Sequence, residues 1–145
     1  MPPNPPSYDA AVAALLAQVP GSAVVPGELE AVLWQLDEAV GAAEDPERGA
    51  LKLATRHLAQ TLAIRHPGRS VEVRVPPYAA VQCLAGVRHT RGTPPATVEV
   101  EPVAFVQLCT GRLGWQEAVR DGRVRASGER SDLSPLLPLV RLPPG

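Results

Sequence analysis

The residues of this chain best suited to chemistry cluster at Arg88-His89-Thr90-Arg91-Gly92-Thr93. Three cationic or titratable side chains and two hydroxyls follow one another, Gly92 permits a tight backbone, and Pro94–Pro95 stiffens the exit. Arginine forks favour planar anions, so Arg88, His89 and Arg91 could clamp a phosphate, a carboxylate headgroup or an acidic partner. The same composition also suits a solvated loop between two strands. In either case these residues bind rather than react. No catalytic residue is expected elsewhere. The other histidines, His57 and His66, read as the flank and end of a helix, and no His or Cys spacing matches a metal site. G-x-S-x-G, G-x-x-x-x-G-K and G-x-G-x-x-G are all absent from the sequence, which removes the usual nucleophile elbow and phosphate loops. Ser127 beside Gly128 reads as a turn residue. Cys83 and Cys109 lie in apolar segments with no neighbouring base, as reduced core cysteines do. No cofactor is expected.

An apolar constellation forms the second candidate. Phe105, Val106, Leu108, Cys109, Leu113, Trp115, Ala118 and Val119 fall on two short helices that would face a sheet. They could be ordinary core. They could also close over a lipid-sized space, because binding sites are largely apolar concavities. The lining expected for such a cavity is Phe105, Cys109, Trp115, Val119 and Leu136. Only five aromatics occur in the chain, Tyr8, Trp34, Tyr78, Phe105 and Trp115, so bulky filler is scarce.

The elements that must position these residues are legible in order. Residues 1–6 form a proline-rich tail. A helix with Ala11, Val12, Leu15, Leu16 and Val19 on one face ends at Pro20–Gly21. A second begins near Pro26, with Leu29, Val32, Leu33, Leu36 and Val40 at helical spacing and Trp34 off the centre of the stripe. A third follows an Asp45 cap, with Pro46 first and Glu47 in the first turn, and ends near Arg65, His66 and Pro67–Gly68. The period then changes to two. Val71 to Val75, Tyr78 to Ala85 and Ala96 to Glu101 read as strands, with a polar loop over residues 86–95. Pro102 opens a short helix closed by Gly111, Trp115 opens another closed by Gly122, and Val124 to Ser127 is a fourth strand. A last short helix would start at Ser131 or Ser134, carry Leu133, Leu136 and Leu137, and be limited by Pro138.

Hairpin-linked strands with helices gathered on one face define an α+β fold. The expectation is a small mixed, mainly antiparallel sheet of four to five strands covered by helices on one face, preceded by a helical extension. Residues 1–48 would be that extension, packed on the same domain, and residues 49–145 the main domain. The bulk composition is ordinary for a globular chain, with 45% apolar and 20% charged residues and a net charge of −1. A near-neutral chain offers no general case for nucleic acid binding. The sign is uneven: residues 1–70 carry five bases and eight acids, whereas residues 71–145 carry nine arginines and seven acids. One Lys against thirteen Arg reads as coding bias. No apolar run is long enough to span a bilayer, and the N-terminus has no signal-peptide pattern, so a cytoplasmic protein without integral membrane association is expected.

Three segments carry a family resemblance: VEVRVPPYAAVQCLAG (residues 71–86), RHTRGTPP (88–95) and GRLGWQEAVRDGRVRASGERSDLSPLLPLV (111–140). Within the last, Gly-x-Leu-x-Trp, then Gly-x-Val, a strand, and Gly-x-x-x-x-Leu form the shared pattern. Over residues 71–142 the chain resembles the sterol carrier protein type-two superfamily, in particular a bacterial branch found in actinobacteria. That resemblance implies a small mixed sheet with helices on one face and an apolar tunnel between them. It also implies a non-enzymatic lipid carrier, or an accessory domain of the kind found attached to enzymes. This chain differs from the animal carriers in its long helical N-terminus and in ending PPG rather than in a peroxisomal address. The functional expectation is therefore binding of an apolar small molecule or fatty-acyl ligand. The alternative is an interaction or accessory module, open to homodimerisation, with no ligand.

Overall fold

The computed structural model describes residues 26–86 and 96–140. The expected helix over residues 8–19 and the Arg88, His89, Arg91 loop lie outside the described residues.

Helix α1 spans Pro26–Gly41 and α2 spans Arg48–Arg65. Strands β1 (Val71–Val75), β2 (Ala79–Cys83) and β3 (Ala96–Val100) follow. Helices α3 (Pro102–Thr110) and α4 (Trp115–Arg120) lead to β4 (Val124–Ser127), and a 3-10 turn covers Ser134–Leu136. The four strands form one sheet in the order β2-β1-β3-β4. β1 pairs antiparallel with β2 and β3 antiparallel with β4, while the central pair β1–β3 is parallel. The mixed α+β architecture is as the strand and helix order implies.

The sheet's two faces follow directly from side-chain alternation. Val71, Val73, Val75, Val98, Val100 and Val124 are buried on one face. Glu72, Arg74, Thr97, Glu99, Arg125 and Ser127 occupy the other. There Arg74 registers with Glu99 and Glu99 with Arg125, and the Thr97 and Ser127 hydroxyls meet at 2.8 Å. On β4 only Val124 is buried. Ala126, on the same face of this edge strand, is exposed.

α2 lies over β2 and contacts both α1 and α3. Leu58, Leu62 and Ala54 are fully buried beneath it. Its start differs from expectation. The cap is Glu47, not Asp45, and its two carboxylate oxygens accept from the Gly49 and Ala50 N–H groups at 2.8 and 2.7 Å. A glutamate can reach these donors because Gly49 leaves the first turn unobstructed. Leu33, Leu36 and Trp34 of α1 join the same core cluster as the sheet valines. Trp34 is buried although it lies off the stripe, so the buried sector of α1 is wider than its aliphatic periodicity. The final helix shortens to a single turn. Asp132 Oδ1 accepts from the Ser134 N–H at 2.9 Å, and Pro135 and Pro138 prevent extension.

Candidate functional site

Local sequence shapes the α3–α4 unit. Pro102 occupies the first turn of α3, and Gly111 ends it in the left-handed region at φ 79°. The Arg112 N–H then donates back to the Gln107 carbonyl at 2.9 Å. This tight exit places the Arg112 side chain at the end of α3, facing α1. The Cys109 carbonyl accepts from both the Leu139 and Val140 N–H groups, at 2.9 and 3.0 Å. Arg65 Nη1 donates to the Leu139 carbonyl at 2.8 Å. The 139–140 segment is thereby strapped across the ends of α2 and α3.

The expected cavity residues fall into different surroundings. Phe105 and Cys109 are buried within the common core. Trp115 lines a depression of about 250 Å³ with Leu108, Leu113, Leu137 and Pro138, between α3, α4 and the 3-10 turn. Leu136 is partly buried and packs on the core. Val119 is 41% exposed. Trp115 and Ala118 take the inward side of the two-turn α4, and Val119 lies about 100° further round the helix from Ala118. It therefore lies outside both the core and that depression.

A second apolar space lies away from the residues expected to line a cavity. Leu33, Leu36 and Val40 of α1, Pro46 and Leu51, and Val103 and Val106 of α3 line a narrow groove with about 20 Å³ open to solvent. That is little more than room for one water and far below a ligand site. Its polar lining consists of Asp37, Gln107, Thr110 and Arg112. Arg112 Nε and Nη2 donate to Asp37 Oδ1 and Oδ2 at 2.9 and 3.0 Å, a bidentate fork. Both side chains are about a quarter exposed, at 24% for Arg112 and 28% for Asp37. Two sequence signals were available separately: an acid flanking the α1 stripe and an arginine just after a helix-closing glycine. Only the fold brings them together.

A third, polar cleft of about 270 Å³ opens at one end of the sheet between Pro76, Glu99, Glu101, Gly122, Arg123 and Arg125. Arg123 bridges Glu101 Oε1 at 2.9 Å and Gln107 Oε1 at 2.8 Å. These contacts link β4 to the start and middle of α3.

The thiols are poor nucleophiles here. Burial raises the Cys83 pKa to about 11 and pushes Cys109 further in the same direction, so both stay protonated near neutrality. His57 is buried on α2 rather than lying on its flank, and burial holds its pKa below the usual imidazole value. Among the described residues no three His, Cys, Asp or Glu side chains are grouped to hold a metal, and no helix is long and apolar enough to cross a membrane.

The molecule so described is a small α+β domain whose mixed sheet has one charged face and one face under helices. Grooves open within the helical layer. A family model described as bacterial SCP ortholog matches residues 47–139, more than half of the chain. The chain belongs to this sterol carrier protein-like family. The match begins at the Glu47 cap and ends in the strap at Leu139, so α1 precedes it. No curated protein matches the chain.

Proposed function

We propose that this protein binds a lipid or another apolar small molecule without transforming it. Family membership supports apolar ligand binding in general. The observation that carries the reading is the open depression beside Trp115, between α3, α4 and the 3-10 turn, where Leu108, Leu113, Leu137 and Pro138 supply apolar walls. A ligand seated there lies against Trp115 and Leu137 and reaches Arg112 at the edge, with Phe105 and Cys109 in the core behind. The interaction-module alternative drew on the helical extension. From Leu33 onward α1 commits Leu33, Trp34 and Leu36 to the core, which leaves that alternative less to stand on.

Native mass spectrometry after mild extraction, paired with thermal melts in fatty acids, acyl-CoA and sterols, tests the reading. The expected result is a bound small molecule or ligand-dependent stabilisation, about 2.7 kcal/mol at a hundredfold excess over Kd. Protein that is empty as isolated and unmoved by all three ligand classes would falsify it.

A further inference from the structure

The depression beside Trp115 has about 250 Å³ of open space, and its surroundings hold it to that size. Leu108 and Trp115 are buried side chains of two packed helices. Leu137 and Pro138 lead into the strap, where the Cys109 carbonyl accepts from the Leu139 and Val140 N–H groups and Arg65 Nη1 donates to the Leu139 carbonyl. Arg112 closes another side, because its fork on Asp37 holds the guanidinium in place. Beyond Arg112 the α1–α2–α3 groove offers only about 20 Å³, so a ligand does not thread from one apolar space into the other. Gly114 differs from these walls. Its backbone lies at φ −81° and ψ 146°, a conformation open to any residue, and a Cβ there would meet nothing within 4 Å. The chain path does not require glycine at this position, and the missing side chain leaves space free. We propose, on the basis of the binding reading above, that the depression takes an alkyl segment of only about eight carbons, the end of a long ligand or the whole of a short one, and that Gly114 sets this limit.

The length follows from volume. A methylene takes up roughly the room of a water molecule in the liquid, about 30 Å³, so 250 Å³ holds about eight of them. Each methylene that leaves water adds a similar increment of free energy, equivalent to about fourfold in affinity. Carbons beyond the limit stay in water and add little. The limit is sharp because side chains packed at crystal density do not yield to further methylenes without strain. A side chain at position 114 takes up part of the same space, so the limit falls with the size of that side chain.

The test follows the tryptophan indole N–H signals of the full chain by NMR during titration with vicinal alkanediols, from butanediol to dodecanediol, each below its solubility limit. The two tryptophans separate the site from the core, since Trp115 lines the depression and Trp34 does not. In the wild type the Trp115 signal is expected to shift, with affinity rising about fourfold per carbon up to about octanediol and by less than about twofold per carbon beyond it. Gly114→Leu should bring this break down by about four carbons, the number in the added side chain. Circular dichroism melts check folding, and Gly114→Ala, with a break about one carbon shorter, stands in if the leucine variant does not fold. Affinity that climbs unbroken to dodecanediol overturns the proposal. So does a break that the substitution leaves in place, or binding that does not move the Trp115 signal. Each of these results leaves the broader binding reading standing. Failure of every diol to bind removes both.

Discussion

His57 has little contact with water, at 3% exposure on α2, so a proton placed on it must be desolvated. Burial therefore lowers its pKa below the free value of 6.5. His66, at the end of the same helix, is lowered by burial and then by Arg65. The sign of the effect follows. Above neutrality both imidazoles are uncharged in the native and unfolded states, and they contribute no pH dependence. As pH falls through about 6.5 the unfolded chain takes up protons before the native state does, and stability declines. It levels off once the native pKa values are passed. Urea unfolding midpoints should thus be lower at about pH 5 than at about pH 7.5. His57→Gln should flatten part of this slope and His57→Gln/His66→Gln more of it. A slope unchanged in the double variant would show another group to be responsible. Glu47 and Glu72 do not confuse this window: their pKa values are lowered from 4.5, by the Gly49 and Ala50 amides for Glu47 and by the Arg74 guanidinium for Glu72. Sequence had placed His57 on the helix flank, because its aliphatic neighbours Ala54, Leu58 and Leu62 define a stripe that excludes it. Its burial depends on how broadly α2 is covered, which periodicity does not encode.

At the scale of elements, α1 is the informative helix, since it lies ahead of the family match yet supplies core residues. A chain reduced to residues 49–145 loses Leu33, Trp34 and Leu36 from the core, the Asp37 partner of Arg112 and the Glu47 cap. Removing one large buried side chain costs about 2–5 kcal/mol, and a domain has only about 5–15 kcal/mol in total. The shortened chain is expected to lose its cooperative melt or to aggregate. A truncated protein that melts cooperatively near the full-length temperature would contradict the structural role given to α1. Glu47→Ala is the milder version, expected to lower the melting temperature by freeing two helix N–H groups.

Element limits were largely open to reading because local chemistry sets them. Pro102 and Gly111 bracket α3, and the period-two valines mark β1 and β3. The parallel pairing of β1 with β3 was not legible. Alternation reports which face is buried and says nothing of which strand lies alongside. The Asp37–Arg112 contact was hidden for the same reason, being a product of chain path across 75 positions.

Across the whole molecule, the buried cysteines offer a check on how completely the core is closed. Cys83 and Cys109 are both free thiols at 0% exposure. Reaction with an aromatic disulfide reagent should therefore be slow in native buffer and fast in denaturant, with both thiols titrated only after unfolding. Because Cys109 lies under the strap at its carbonyl, its labelling should track global unfolding. Rapid native labelling of Cys109 would mean that the helical layer opens by itself.

The central parallel pair sets Val71 against Ala96, and the connection between them carries β2. β2 is held by its own ladder to β1. The Leu84 N–H donates to the His66 carbonyl at 2.7 Å, and the Leu84 carbonyl accepts from the Ser70 N–H at 3.0 Å. The segment is thus anchored at Leu84 on one side and at Ala96 on the other. β1 is therefore paired along both of its edges, antiparallel to β2 and parallel to β3, so a proline within it would break ladders on two sides where the same change in β2 or β4 would break one.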